Sequence, residues 1–145
     1  MSDEHEIEGP FLAAALLCES VLQEKDGRLS VIRINNRITI TAGTGAPEKM
    51  PPSTISATAL ISFRAGFARG SYSVRLQPIT PSGKRLPEVS LPILLEGDDR
   101  GQNLILPIRL QAAEEGLYWF DVRLNERLLT RIPLRLVYRR IAMTP

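Results

Sequence analysis

The segment Ser71-Tyr72-Ser73-Val74-Arg75-Leu76-Gln77 decides the fold. Its apolar side chains, Tyr72, Val74 and Leu76, alternate with polar ones, so a β-strand would place the two kinds on opposite faces. A strand of this type has one face in a core and the other in water. The segment therefore predicts an antiparallel sheet with one buried face.

The same period of two extends to both sides of this strand. It is present in residues 54–63, 104–111, 117–124 and 128–138, and residues 88–96 form a further predicted strand that Pro92 would place at an edge or bulge. Turn residues at 81–84, 98–101 and 125–126 separate these segments. About eight or nine short strands without a long helix predict an all-β protein, a two-sheet antiparallel β-sandwich.

The apolar residues 11–23 fit two kinds of structure. Their Ala and Leu content, with Leu12 and Leu16 four residues apart, suits a helix. The following Lys25-Asp26-Gly27 is also a hairpin turn that leads into the β-rich residues 28–34. We predict a β-hairpin here, with a helix as the alternative.

The segment Glu114-Glu115-Gly116-Leu117-Tyr118-Trp119-Phe120 resembles the acidic-x-Gly-x-Tyr-x-Cys signature of immunoglobulin-like domains. In that family the tyrosine hydroxyl hydrogen-bonds to backbone a few residues upstream, an arrangement called the tyrosine corner. The resemblance implies that Tyr118, with Gly116 before it, is a structural tyrosine corner. Phe120 stands at the position of the family's second cysteine, which fits a chain whose single cysteine cannot form an internal disulfide.

A wider resemblance covers most of the chain. The early apolar strand, the Asp26-Gly27-Arg28-Leu29-Ser30-Val31 hairpin, the Pro51-Pro52 lead-in and the closing Gly-x-Tyr strand with its basic successor resemble an uncharacterised family of small bacterial immunoglobulin-like β-sandwich proteins. The resemblance implies an immunoglobulin-like two-sheet antiparallel β-sandwich. It implies no activity, because none is known for that family.

The charged residues are unevenly distributed between the N-terminal segment and the rest of the chain, which we call the body. We predict a flexible acidic tail over residues 1–9, a single β-sandwich domain over 10–140 and a C-terminal tail over 141–145. Four of the 16 acidic residues, Asp3, Glu4, Glu6 and Glu8, lie in the first segment, which contains none of the 18 basic ones. The body is therefore basic, and 15 of its 18 basic residues are arginine.

Cysteine content and hydropathy indicate the compartment. The longest apolar stretch, residues 11–18, is too short to span a bilayer, and no basic segment precedes it as in a secretory signal. A lone cysteine suits a reducing compartment. We therefore predict a cytoplasmic bacterial protein that makes no membrane contact.

Residues that usually carry catalysis are sparse. His5, the only histidine, lies in the predicted tail, so the body can assemble neither a Ser-His-Asp triad nor a histidine metal site. Cys18 lies in an apolar run without a histidine partner. Glu96, Asp98 and Asp99 suit a solvated turn as well as a calcium ion. We predict no catalytic residue, no cofactor and no metal.

Arginines recur at a regular interval near the end of the chain. Arg131, Arg135 and Arg139 are spaced by four, which keeps them on one face of a strand. A tryptophan among guanidinium groups can bind acidic or aromatic partners. If the strands are ordered as in immunoglobulin-like domains, the outward residues of three strands form a partner surface, namely Trp119, Arg109, Arg123, Arg131, Arg135 and Arg139. The alternative is an ordinary solvated face on which arginine stems cover Trp119.

These features predict a non-enzymatic interaction module that contacts a protein partner or a second copy of itself. The alternative is a protein that binds nucleic acid or another polyanion through the arginines, in which case salt would weaken binding steeply. An enzyme built on carboxylates such as Asp98 and Asp99 has the least support, because no acid and base are paired in the sequence.

Overall fold

A computed structural model describes residues 8–141. It contains seven strands: β1 (Phe11–Gln23), β2 (Leu29–Ile34), β3 (Arg37–Ala42), β4 (Ser53–Ile79), β5 (Val89–Ala112), β6 (Gly116–Leu124) and β7 (Arg127–Arg140). The all-β prediction is confirmed, and residues 11–23 form a strand instead of a helix. Within residues 8–141 no helix could cross a membrane. Most of the two predicted tails, residues 1–7 and 142–145, lies outside the described residues.

The strands form one curled sheet. Their order is β2-β1-β4-β6-β7-β3, and β5 pairs with β4 outside this path. Neighbours are antiparallel, except that β3 and β7 are parallel. β2 and β3 lie at opposite ends of this order although they are consecutive in the chain. The ends meet at Asn35 and Asn36, where Asn35 donates its N–H to the Leu17 carbonyl and the Asn36 carbonyl accepts from the Arg135 N–H.

Two strands are longer than the sequence predicts. β4 joins the predicted strands 54–63 and 71–77, and β5 joins 88–96 and 104–111. The turn predicted at residues 98–101 is wrong, because this stretch continues β5 and remains paired with β4. An irregularity in β4 between Arg64 and Arg69, with Gly66 at a φ of 61°, bends the pair without ending it. The residues predicted to form a turn therefore lie in a bend of the β4–β5 pair.

The bend gives the sheet two halves that enclose one core. β1 pairs with the first half of β4, whereas β6 pairs with the second half. β1 and β7 come within 8 Å of each other without sharing a ladder. The core includes the apolar residues that alternate in the sequence, and its largest fully buried side chains are Tyr118, Phe63 and Phe120.

The predicted tyrosine-corner hydrogen bond is present where the chain enters β6. The Tyr118 hydroxyl donates to the Glu114 carbonyl at 2.6 Å. The Glu114 carboxylate accepts from the N–H and the hydroxyl of Ser82, at 2.8 and 3.0 Å. Glu115 accepts from the Tyr138 N–H at 2.8 Å. The motif thus joins β6 to the turn at 81–84 and to β7.

Replacing Tyr118 by phenylalanine tests this corner. The variant Y118F leaves the Glu114 carbonyl without its buried donor, so we expect the free energy of unfolding to fall by about 1–2 kcal/mol in urea denaturation. Tyr72 is the matched control, because its hydroxyl makes no hydrogen bond to residues 8–141. A Y72F variant as destabilised as Y118F would contradict a special role for the corner.

The same tyrosine gives stability a pH dependence. Burial raises the pKa of Tyr118 above its ordinary value of 10.0. The unfolded chain therefore loses this proton first as pH rises, so the contribution is fully present below about pH 10 and is lost above it. We expect denaturation curves recorded across this range to show a smaller alkaline loss of stability in Y118F than in the wild type.

Candidate interaction surface

The outward face of β6 carries a tryptophan in an apolar row. Trp119 pairs with Pro133 of β7 on one side and with Ile79 of β4 on the other. Pro133 is exposed, and Trp119 and Ile79 are partly exposed. We call Ile79, Trp119 and Pro133 the Trp119 stripe. It is an apolar band that crosses three strands on a face open to solvent.

Arginines flank the Trp119 stripe. Arg131 and Arg135 share the outward face of β7 with Pro133, one on each side of it, and such diagonal neighbours of Trp119 lie about 7–8 Å away across the sheet. Arg135 is also paired with Arg37 of β3, and Arg139 follows on the same face of β7. Arg37, Arg135 and Arg139 are exposed and form no ion pair within residues 8–141. We call these three the open arginines.

Two other arginines face a buried carboxylate. Asp121 is only 3% exposed although its side chain is on the outward face of β6. Arg131 Nε lies 2.9 Å from Asp121 Oδ1, and Arg123 Nη2 lies 3.9 Å from Oδ2. Arg131 Nη2 donates a hydrogen bond to Oδ2 at 3.5 Å, whereas Oδ1 accepts no hydrogen bond from the described residues. The carboxylate thus partly neutralises both arginines.

Arg109 lies apart from the other residues of the predicted surface. It pairs with Ser56, where β5 runs beside the first half of β4. The prediction that Arg109 lies near Trp119 rests on the strand order of immunoglobulin-like domains. In the structure β4 lies between β5 and β6. The structure therefore brings together Trp119, Arg123, Arg131, Arg135 and Arg139 without Arg109.

Sequence reasoning missed the contribution of β3 and β4 to this face. Arg37, Thr39 and Thr41 alternate with apolar residues, which indicates a strand with a polar outward face. That signal could have identified Arg37 as a surface residue. Nothing local in the sequence shows that β3 lies parallel to β7, because the paired residues are about a hundred positions apart.

Comparison with known proteins places the chain in a family. A family model matches residues 13–137, from β1 into β7. The chain belongs to DUF6941, a family of unknown function. The resemblance of the sequence to an uncharacterised family is thereby confirmed, and the Trp119 stripe of this DUF6941 domain lies within the matched residues.

Other comparisons add little to the family assignment. A solved structure that matches the DUF6941 domain is that of an immunoglobulin-like protein from Pseudomonas aeruginosa. The two are 11% identical, and the match covers 86% of this chain and 97% of the other with a TM-score of 0.38. No curated protein matches the chain.

The remaining reactive side chain, Cys18, lines a cleft. The cleft has a volume of about 660 Å³ and is bordered by Cys18, Ile38, Ala57 and Ile108 among others. The thiol is 1% exposed and donates weakly to the Thr58 carbonyl at 3.5 Å. Burial raises the pKa of Cys18 above 9.0, so it is a protonated and poor nucleophile at neutral pH. Within residues 8–141 no group of three or more His, Cys, Asp or Glu side chains could hold a metal.

Asp121 is predicted to support the fold of this face. The variant D121N keeps the shape of the side chain but removes its charge, which leaves Arg131 and Arg123 without their carboxylate. We expect the free energy of unfolding to fall by about 1–3 kcal/mol, less than for a fully buried pair because both arginines reach solvent. Urea denaturation measures the change.

A surface ion pair provides the control for Asp121. Glu126 lies 3.1 Å from Arg75, but its side chain is 93% exposed. Exposed pairs contribute little, so E126Q should change stability by less than about 0.5 kcal/mol. Equal effects of D121N and E126Q would show that the buried position of Asp121 is unimportant.

Cys18 is predicted to react slowly with the thiol reagent DTNB. The native thiol is buried and protonated, whereas urea exposes it. We expect the absorbance change at neutral pH to be at least about tenfold slower in buffer than in denaturant. A native rate equal to the denatured rate would mean that the cleft admits the reagent freely.

Proposed function

We propose that this DUF6941 domain is a non-enzymatic interaction module. It contacts a protein partner through the outward face formed by β3, β6 and β7. The observation that carries this proposal is the Trp119 stripe lying beside open arginines that have no carboxylate among residues 8–141. Tryptophan and arginine are the residues that most often dominate the energy of protein interfaces.

The parts of this face have complementary physical roles. The Trp119 stripe provides apolar area that a partner can remove from water. The open arginines attract acidic groups and orient them through paired N–H donors. Asp121 holds Arg131 beside the stripe, which lowers the conformational entropy that this side chain would lose on binding. Together they favour a partner with an acidic surface around an apolar centre.

A second copy of the chain suits this face less well. A two-fold contact between identical faces would supply no free carboxylate to the open arginines from the described residues of the face, because Asp121 is buried against Arg131. A different protein with an acidic face is therefore the favoured partner, and self-assembly through this face is the weaker form of the proposal.

Two further proposals concern architecture and location. The bent ribbon of β4 and β5, with two halves around one core and the tyrosine corner at β6, supports an immunoglobulin-like two-sheet sandwich. The buried free thiol of Cys18 supports a cytoplasmic location in a bacterial cell. Fractionation of the native host tests the location.

Polyanion binding is the second candidate function. The observation that favours it is the proximity of Arg37, Arg135 and Arg139, which are exposed and lack acidic partners among the described residues. Nucleic acid bound in this way would contact phosphate without reading sequence. Its affinity would fall steeply as salt is raised, whereas binding that depends on the Trp119 stripe would persist.

Affinity purification with paired variants tests the proposed function. Tagged wild type, W119A/R135A and F67A/R100A are purified from the native host at low and high salt, and bound protein and nucleic acid are quantified. The third protein is the matched control, because Phe67 is 73% exposed and the Arg100 side chain is 70% exposed, and neither belongs to the face or to the cleft. We expect a stoichiometric protein partner with wild type and control, and at least about tenfold less with W119A/R135A.

Equal recovery of the partner by all three proteins would contradict the proposed surface. Nucleic acid that binds wild type and control at low salt, is lost at high salt and is absent from W119A/R135A would replace the leading proposal with polyanion binding. Circular dichroism of each variant shows whether a loss of binding comes from unfolding.

A further inference from the structure

β3 is an edge strand whose ladder to β7 uses alternate residues. The Asn36 carbonyl accepts from the Arg135 N–H at 2.9 Å, and the Ala42 carbonyl accepts from the Ile141 N–H at 2.8 Å. In a strand, successive residues direct their backbone groups to opposite sides. The even-numbered residues from 36 to 42 therefore face β7, and the odd-numbered residues between them face away.

The side of β3 that faces away from β7 has no strand against it within residues 8–141. The N–H and C=O groups of Thr39 and Thr41 point to this open side, as does the C=O of Arg37. The Arg37 N–H is already engaged, because it donates to Asn35 Oδ1 at 3.0 Å. Thr39 and Thr41 are both exposed. β3 thus presents a ready row of backbone donors and acceptors.

The two faces beside this open edge differ in chemistry. The outward face carries the open arginines, Arg37 on β3 itself and Arg135 and Arg139 on β7. The inward face carries Ile38 and Ile40, which are only partly buried. Ile38 also borders the 660 Å³ cleft. A strand added to this edge would alternate its side chains between a basic face and an apolar one.

We propose that the open edge of β3 accepts an extended acidic segment of a protein partner as an added strand. Its acidic side chains lie over the open arginines, and the alternate apolar side chains point toward Ile38, Ile40 and the cleft. The inference rests on the proposed function and specifies how the partner binds. Charge complementarity identifies the occupant, since the open arginines are positive and β3 of a second copy carries no acidic side chain to pair with them.

Amide hydrogen exchange measured by NMR tests the added strand directly. The probe is a blocked six-residue peptide of alternating valine and glutamate, the length of β3. In the free protein we expect the amides of Thr39 and Thr41 to exchange rapidly and those of Ile38 and Ile40 to be protected by β7. The peptide should slow exchange at Thr39 and Thr41 at least about tenfold and leave Ile38 and Ile40 unchanged.

Two further peptides serve as controls for the pattern. One alternates valine with lysine, and the other has three valines followed by three glutamates. The first should not bind because its charge is opposed by the open arginines. The second should bind more weakly, because it cannot place all its glutamates on one face.

A pair of variants separates backbone from side-chain recognition. T41P removes an N–H that faces the open edge and leaves the ladder to β7 intact, whereas T41A keeps that N–H. Fluorescence anisotropy with a labelled peptide should show about tenfold weaker binding by T41P and near wild-type binding by T41A. Should T41P fail to fold, the exchange pattern of the wild type decides alone.

Three outcomes would overturn the proposal. They are the absence of binding by the alternating acidic peptide, binding without protection of Thr39 and Thr41, and protection of these amides by dimerisation at raised protein concentration without peptide. None of these outcomes tests the proposed function. That proposal is tested by whether W119A/R135A loses the native partner. If W119A/R135A loses the native partner but the peptide does not protect the amides of β3, the proposed interaction surface is supported and the added strand is contradicted.

Discussion

The continuous antiparallel pairing of β4 with β5 is the constraint on which the other strands depend. It runs from Ser53 opposite Ala112 to Leu76 opposite Val89 and bends where Gly66 lies opposite Asp98. The two strands approach so closely at Gly101 that a Cβ there would overlap the Phe63 carbonyl. β1 pairs with the part of β4 before this bend and β6 with the part after it, so the bend separates the two groups of strands that contribute to the core.

One buried carboxylate determines how positive charge is distributed over the interaction face. Asp121 draws Arg123 and Arg131 toward the centre of the sheet, and Arg135, Arg139 and Arg37 remain in water near the β3 edge. A face with the same composition but no Asp121 would carry its charge evenly. Here the positive charge is concentrated at one side of the Trp119 stripe, and this asymmetry gives a partner a preferred orientation.

Local patterns in the sequence predicted the parts of this structure that depend on local physics. The alternation around Val74 and Leu76 identifies buried positions, because strand side chains alternate between faces. Gly116 has a φ of 126°, which favours glycine, and it precedes the tyrosine that the motif identifies. The candidate face was predictable only in part, since Trp119 and the β7 arginines share a short segment, whereas Arg37 joins them through pairing across most of the chain.

The parallel pairing of β3 with β7 also determines when β3 can pair during synthesis of the chain. β3 ends at Ala42, but its partner residues 135–140 are synthesised about ninety residues later. The β1–β2 hairpin can form as soon as its own residues emerge, whereas β3 must wait for β7. A nascent chain thus exposes both sides of β3 until β7 has been synthesised. The strand that carries the open edge is consequently the last part of the sheet to acquire its ladder.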